Sequence, residues 1–265
     1  MQNEKDFTKT PSFYNTTEVF KKYLGTTSYY LGLQNKMLSL TKMLKPDYLL
    51  ELGFGTGQTA IKTAKQNVSA EITAVDMRPD MITLAKDSAK SEKLNNIEFI
   101  CADMTDYVKG EIKKFDLIYM LYSFHHIEDP LEKKIQFLKD CYNNMENGAY
   151  ICVAETFIPE HNSMEVNDPT LIKLWETRGE EGYASTFWSN LKSLDSADIT
   201  MAEKIASYCR DMEVEAGKLV VMREDEYLIK KSWLRNNAEM QGFTTVLDKD
   251  INNIGDAILL FIKGK

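Results

Sequence analysis

Glu51-Leu52-Gly53-Phe54-Gly55-Thr56-Gly57 is the stretch that decides the fold of this chain. It follows the apolar run Tyr48-Leu49-Leu50 and precedes Ala60, Ile61 and Ala64, which recur at helical spacing, so the three glycines sit on a strand-to-helix turn. Such a turn lays bare main chain against a ligand. A side chain there is expected to occupy ligand space, and a sharp turn asks for positive φ, which other residues reach only at a cost. Amides opening the next helix then attract a carboxylate or phosphate.

The spacing narrows the ligand. A dinucleotide-binding turn wants a third glycine at position 58, where Gln58 stands, and a phosphate-cradling loop needs a Lys followed by Ser or Thr, which is missing. What remains is an acid at a strand end followed by G-x-G-x-G. Glu71-Ile72-Thr73-Ala74-Val75 reads as a second strand ending on Asp76, about 20 residues past the glycines, where a nucleoside-binding fold places an acid for ribose hydroxyls. Ile97-Glu98-Phe99-Ile100-Cys101 is a third strand, followed by Ala102-Asp103-Met104, and Phe115-Asp116-Leu117-Ile118-Tyr119 is a fourth, running into Met120-Leu121-Tyr122-Ser123-Phe124-His125-His126.

The acid and glycines resemble motif I of the class I S-adenosylmethionine (SAM) dependent methyltransferases, and the later strand ends follow in that family's order. The resemblance covers roughly residues 28 to 157 and 226 to 265. It implies an α/β fold with a seven-stranded, mostly parallel sheet in the order 3-2-1-4-5-7-6, the last strand antiparallel, and helices on both faces. It also implies SAM as cofactor, with contacts from Glu51, Gly53, Gly55, Gly57, Asp76, Met77, Asp103, Met104 and Leu121. The glycine backbone is then expected to receive the methionine moiety, Asp76 the ribose, and Asp103 with Met104 the adenine. Glu51 orders the loop or reaches the ammonium through water.

Alternating periodicity supports the layered arrangement. Tyr30, Leu33, Met37, Leu40 and Leu44 fall on one face of a helix that Pro46 ends. Further helices are expected from Met81 to Lys90, started by Pro79, and from Leu131 to Asn143, with Leu131, Ile135, Leu138 and Tyr142 along one side. Glu146-Asn147-Gly148 reads as a turn into a fifth strand, Ala149 to Ala154. Beyond it, Ser232 to Met240 is a helix stopped at Gly242, and Thr244 to Leu247 and Ala257 to Ile262 are strands. Strands alternating with helices build a parallel sheet with right-handed crossovers. The expected division is a helical cover at 1–45, a SAM-binding core at 46–157 and 226–265, and a mainly helical cap inserted at 158–225, far longer than an ordinary connection.

Composition sets bounds. The net charge of −8 argues against a nucleic-acid partner, because phosphate binding relies on a concentrated basic surface. Cys101, Cys141, Cys152 and Cys209 form no C-x-x-C pair, so neither a disulfide framework nor a metal site is expected. The longest apolar run, Ala257 to Ile262, is far below the roughly 20 residues of a membrane span, and no apolar leader opens the chain. A cytoplasmic protein without a membrane partner is expected.

Methyl transfer from a sulfonium is an in-line displacement on an activated carbon, so alignment can supply about 7 to 11 kcal/mol without a metal. A hydroxyl or protonated amine acceptor also needs a base, and histidine suits that task. Of the three histidines, His125 and His126 stand just past the fourth strand, where open α/β sheets bind ligands, and His161 lies apart. Either member of the pair could instead hold the turn. The segment from Ser123 to Pro130 resembles the one that lines the methyl-transfer site of small-molecule methyltransferases, and the resemblance points to His126 as the pocket residue. His125 and Tyr122 are further catalytic candidates. Tyr14, Glu155, Trp175, Tyr183 and Trp188 are candidates for the acceptor side, the aromatic ones forming either a cap core or a box around an apolar or cationic acceptor.

The expected activity is methyl transfer to an O or N atom of a small molecule, since the motifs of base-amine, glutamine, catechol-type and cytosine C5 enzymes are missing. Two rivals stay open: a SAM-consuming lyase or cyclase releasing methylthioadenosine, and a non-catalytic SAM-binding or scaffold protein. The cap is as compatible with a homodimer as with closure over substrate.

Overall fold

A computed structural model describes residues 28–110, 114–128, 131–158, 160, 228–252 and 255–264. At its centre the apolar strands Tyr48–Leu52 (β1) and Phe115–Leu121 (β4) pair in parallel, with Leu49 opposite Leu117 and Glu51 opposite Tyr119. Glu71–Asp76 (β2) and Ile97–Cys101 (β3) extend the ladder on one side. On the other lie Met145–Thr156 (β5), Asp256–Lys263 (β7) and Phe243–Asp250 (β6), with β7 antiparallel to both neighbours. The order β3-β2-β1-β4-β5-β7-β6 is the one expected from the sequence.

Because successive strand residues point to opposite faces, the sheet feeds two cores. Leu50, Leu52, Ile118 and Met120 meet Phe137, Leu138 and Cys141 of Leu131–Asn143 (α5) and Leu234 and Ala238 of Lys231–Met240 (α6). Leu49, Leu117, Tyr119 and Leu121 meet Leu33 and Met37 of Ser28–Leu44 (α1) and Ala64 of Gln58–Gln66 (α2). Full burial of a side chain such as Leu33 or Met37 stabilises by about 1.5 to 3 kcal/mol, which is enough to seat α1 on the sheet. Pro79–Ser91 (α3) packs Met81, Ile82 and Ala85 with Ala74 and Phe99, and Met104–Tyr107 (α4) is a single turn after β3.

Two local expectations are corrected. In α5 the inward residues are Lys134, Phe137, Leu138 and Cys141, while Leu131 is 39% exposed. Lys134 takes a core position because its stem is apolar and its ammonium donates to the Ile127 carbonyl. The triplet Glu146-Asn147-Gly148 is not a turn before β5 but lies inside it: Phe115 pairs with Met145, yet Leu117 pairs with Tyr150, and Gly148 takes φ +83°. The extra residues are absorbed as a bulge.

The described residues just after β5 lie beside those that lead into α6. Ile158 bridges Lys230, its amide donates to the Ile229 carbonyl (3.1 Å), and Ser232 donates through N and Oγ to Glu160 (2.6 and 2.5 Å). Tyr14, His161, Trp175, Tyr183, Trp188 and Cys209 lie outside the described residues, with nearly all of the expected cap and the first part of the expected cover.

Candidate active site

All three glycines of the β1 loop have positive φ, +73° at Gly53, +57° at Gly55 and +77° at Gly57, but they differ in what surrounds them. A Cβ on Gly53 lies 2.4 Å from Cβ of Ser123, and one on Gly57 lies 2.7 Å from Cβ of Ala85. A Cβ on Gly55 meets nothing within 4 Å. The expectation that side chains at all three would occupy ligand space is therefore corrected for two: Gly53 and Gly57 are required by protein packing as well as by φ, and Gly55 alone faces open space. Ser123 Oγ also donates to the Leu52 carbonyl (2.6 Å), and Phe54 packs edge-on against Phe99 at 5.1 Å. The loop is thus clamped at both ends and open at its centre.

Asp76, at the end of β2, is 9% exposed and reaches into this loop. Its Oδ2 accepts from the Gly55 amide (2.8 Å) and its Oδ1 from the Arg78 amide (3.0 Å). Burial pushes its carboxyl above the ordinary value, against the pull of those two amides. Glu51 is 2% exposed and accepts from the Tyr119 hydroxyl, which lies 3.2 Å from Thr63 Oγ1. Burial drives its pKa up to about 8, with the Asp76 charge adding and the Tyr119 bond opposing. Two carboxyls near one loop, one held by amides and one by a hydroxyl, line a local polar well.

Helix α1 covers that well with polar groups set into its apolar stripe. Gln34 Nε2 donates to Thr59 Oγ1 (3.0 Å), Lys62 Nζ donates to Gln34 Oε1 (2.5 Å), and the Tyr30 hydroxyl lies 3.4 Å from Thr59 Oγ1. Burial raises the Tyr30 phenol to about 12. Gln34, Thr59, Thr63 and Tyr119 were not singled out by sequence reasoning. The available signal was Gln34 on the inward face of a helix between Leu33 and Met37.

At the end of β3, Asp103 caps α4, its Oδ1 accepting from the Thr105 amide (2.7 Å), the Thr105 hydroxyl (2.5 Å) and the Asp106 amide (3.4 Å). Met104 is half-buried against the core, Met77 is half-buried after β2, and Leu121 is buried at the end of β4. The registers Asp76–Cys101, Leu52–Val75 and Leu121–Ala154 bring the ends of β1 to β5 to one edge of the sheet.

The β4–β5 part of that edge carries the remaining candidates. Tyr122 has φ +52°, rare for a bulky residue, with its amide on the Ala154 carbonyl (2.9 Å) and its ring stacked on Tyr30 at 5.9 Å. A 3₁₀ turn, Phe124–His126, follows. His125 Nδ1 lies 2.9 Å from Glu155 Oε2, an ion-pair contact bent from the straight hydrogen-bond line, and the His125 amide reaches the same oxygen at 3.3 Å. Glu155 is 1% exposed, and its Oε1 accepts from the Thr156 amide (2.9 Å). Burial pushes the Glu155 carboxyl up, but the His125 charge, its hydrogen bond and the two amides outweigh it, leaving the pKa below the ordinary value. The exposed His126 ring stands 4.0 Å from that of His125. Glu155 thus meets His125, and His126, the residue favoured from sequence, stands beside that pair.

The site is thus a glycine loop open at one residue, with buried acids beside it at a shared sheet edge. Residues 49–148 match the family described as "Methyltransferase domain". The chain is 28% identical over 127 residues to malonyl-[acyl-carrier protein] O-methyltransferase 1 of Ilyobacter polytropus, covering 46% of this chain and 44% of that protein. It is 32% identical over 98 residues to the ubiquinone biosynthesis O-methyltransferase of Coxiella burnetii, covering 37% of this chain and 38% of that protein. The match thus spans less than half the length of either relative. Among solved structures, the N-methyltransferase NodS of Bradyrhizobium japonicum, in complex with S-adenosyl-L-homocysteine, superposes with a TM-score of 0.58 at 11% identity, over 96% of this chain and all of that one. That likeness is one of fold.

Proposed function

We propose that the protein transfers the methyl group of SAM to an oxygen or nitrogen atom of a small molecule. The observation that carries this reading is Gly55: left-handed, facing open space, and tied by its amide to the buried Asp76. SAM brings an activated methyl group, so the protein's task is to hold and align. Main-chain amides of the loop suit the methionine carboxylate. Asp76 keeps lone pairs beyond those its two amides use and can accept from ribose hydroxyls. Glu51 suits the ammonium, and Asp103 with Met104 suits the adenine. The acceptor belongs on the β4–β5 side, near Tyr122, His125 and Glu155.

A small-molecule acceptor fits the net charge of −8, the two curated relatives are named as O-methyltransferases, and no helix among the described residues is long and apolar enough to cross a membrane. Buried free thiols at Cys141 and Cys152 suit a reducing cytoplasm. Isothermal titration tests the reading: SAM and S-adenosylhomocysteine are each expected to bind one-to-one. Absence of both heats contradicts it. So does methylthioadenosine formed from SAM without an acceptor, which marks a lyase or cyclase.

A further inference from the structure

We propose that the outer side of β3 is a docking site for an acidic, extended segment of a partner protein, which adds to the sheet as a further strand beside a row of lysines on α3. This goes beyond the methyl-transfer reading and does not depend on it.

β3 is the last strand of the sheet on its side, so β2 satisfies only one of its two flanks. Which groups are left over follows from two bonds that bracket the strand. The Ile72 amide donates to the Asn96 carbonyl (2.9 Å), and the Ala102 amide donates to the Asp76 carbonyl (3.0 Å). Successive residues of a strand turn their backbone groups to alternate sides, so Asn96, Glu98, Ile100 and Ala102 face β2. The amides and carbonyls of Ile97, Phe99 and Cys101 therefore point outward, where among the described residues no strand pairs with them.

A cleft of about 540 Å³ lies between this flank and the second half of α3. Leu94, Ile97 and Phe99 give it an apolar lining, and Lys86, Lys90 and Lys93 give it a basic one. Lys86, Ala89 and Lys90 follow the i, i+3, i+4 spacing of one helix face, and Lys93 extends the row just past the helix end, so three exposed ammonium groups stand along the cleft. Glu98 also borders it, but the two-residue period of a strand puts its side chain on the face opposite Ile97 and Phe99. Glu92 is taken by Lys65 (3.0 Å), and among the described residues no ion pair involves Lys86, Lys90 or Lys93.

Charge selects the occupant. In a chain with 40 acidic and 32 basic residues, such a row is a local reversal of sign. A second copy is disfavoured, because antiparallel pairing of two β3 strands sets one lysine row against the other. An extended segment with an acid at every second residue fits: its main chain bonds the outward groups of Ile97 and Phe99, and its carboxylates face the lysines. The cleft opens towards the start of β3, away from the strand ends that carry Asp76 and lead to Asp103, so an occupant leaves the candidate active site clear.

The test uses the full chain and a labelled peptide in which glutamate alternates with valine, followed by fluorescence anisotropy and by amide hydrogen exchange. Saturable binding with a dissociation constant of about 100 μM is expected, weakening as salt is added, with slower exchange at Ile97 and Phe99. A peptide alternating lysine with valine is expected not to bind. The combined variant Lys86→Glu, Lys90→Glu, Lys93→Glu is expected to weaken the glutamate peptide by about tenfold or more. Two further glutamate peptides, N-methylated on alternate residues so that one or the other flank is blocked, are expected to differ, one binding and the other not. Absence of saturation, equal affinity in the lysine variant, or equal binding of the two N-methylated peptides overturns the proposal, and the peptide comparisons decide it even if the variant does not fold. A dimer of the chain alone in sedimentation, with Ile97 and Phe99 protected by it, gives this flank to a second copy and overturns the proposal as well. So does the same protection produced by succinate alone, which marks a site for a small anion.

Discussion

The two halves of the sheet's ligand-facing edge are built differently. Around β1 and β2 the shape is made by main chain: three left-handed glycines, two of them pressed against Ser123 and Ala85, and an Asp76 that fastens the loop by the Gly55 amide. Around β4 and β5 it is made by side chains, with Tyr122 stacked on Tyr30 and His125 held by Glu155. The first half is specified by glycine spacing within one short segment. The second depends on partners far apart in the chain, so the first suits a fixed cofactor and the second can change with the acceptor.

The sharpest way to break this contrast is to put side chains on the glycines one at a time. Gly53→Ala meets both a left-handed penalty and the Ser123 Cβ at 2.4 Å, and is expected to cost about 2 to 5 kcal/mol in urea unfolding. Gly55→Ala meets only the backbone penalty, about 1 to 2 kcal/mol. Equal losses at the two positions contradict the division between packed and open glycines.

Glu51 sharpens the comparison through pH. Its folded pKa of about 8 lies above the ordinary 4.5, so the folded chain holds a proton that the unfolded chain has given up. This contribution is fully present below about 4.5, declines as pH rises towards 8, and is gone above it. Glu51→Gln is expected to flatten that slope and to gain about 1 to 3 kcal/mol at pH 8. Parallel pH profiles for the two proteins contradict the burial assigned to this carboxyl. The smallest expected effect is at Ser123, where Ser123→Ala removes the hydroxyl bond to the Leu52 carbonyl and is expected to cost about 0.5 to 1.5 kcal/mol by the same unfolding measurement.

How much could be read beforehand follows the same line. The strand order was legible through the family resemblance, and the α1 stripe of Tyr30, Leu33 and Met37 and the meeting of Gly55 with Asp76 through local periodicity and motif spacing. The roles of Gly53 and Gly57 were not, since Ser123 and Ala85 approach only once β4 and α3 have packed. The α5 stripe slipped because Lys134 counts as polar in any hydropathy pattern, yet it sits at a core position with its ammonium on a carbonyl. The contact between His125 and Glu155 was not legible either, because Glu155 is on another strand.

The most direct measurement is calorimetric titration of S-adenosylhomocysteine into wild type and Gly55→Asn. Asn tolerates a left-handed backbone, so the fold should survive while its side chain fills the open space over the loop. The account predicts clear binding to wild type and at least a 100-fold weaker affinity in the variant, with a similar unfolding midpoint. Equal affinity in the two proteins, or no binding to wild type, contradicts it.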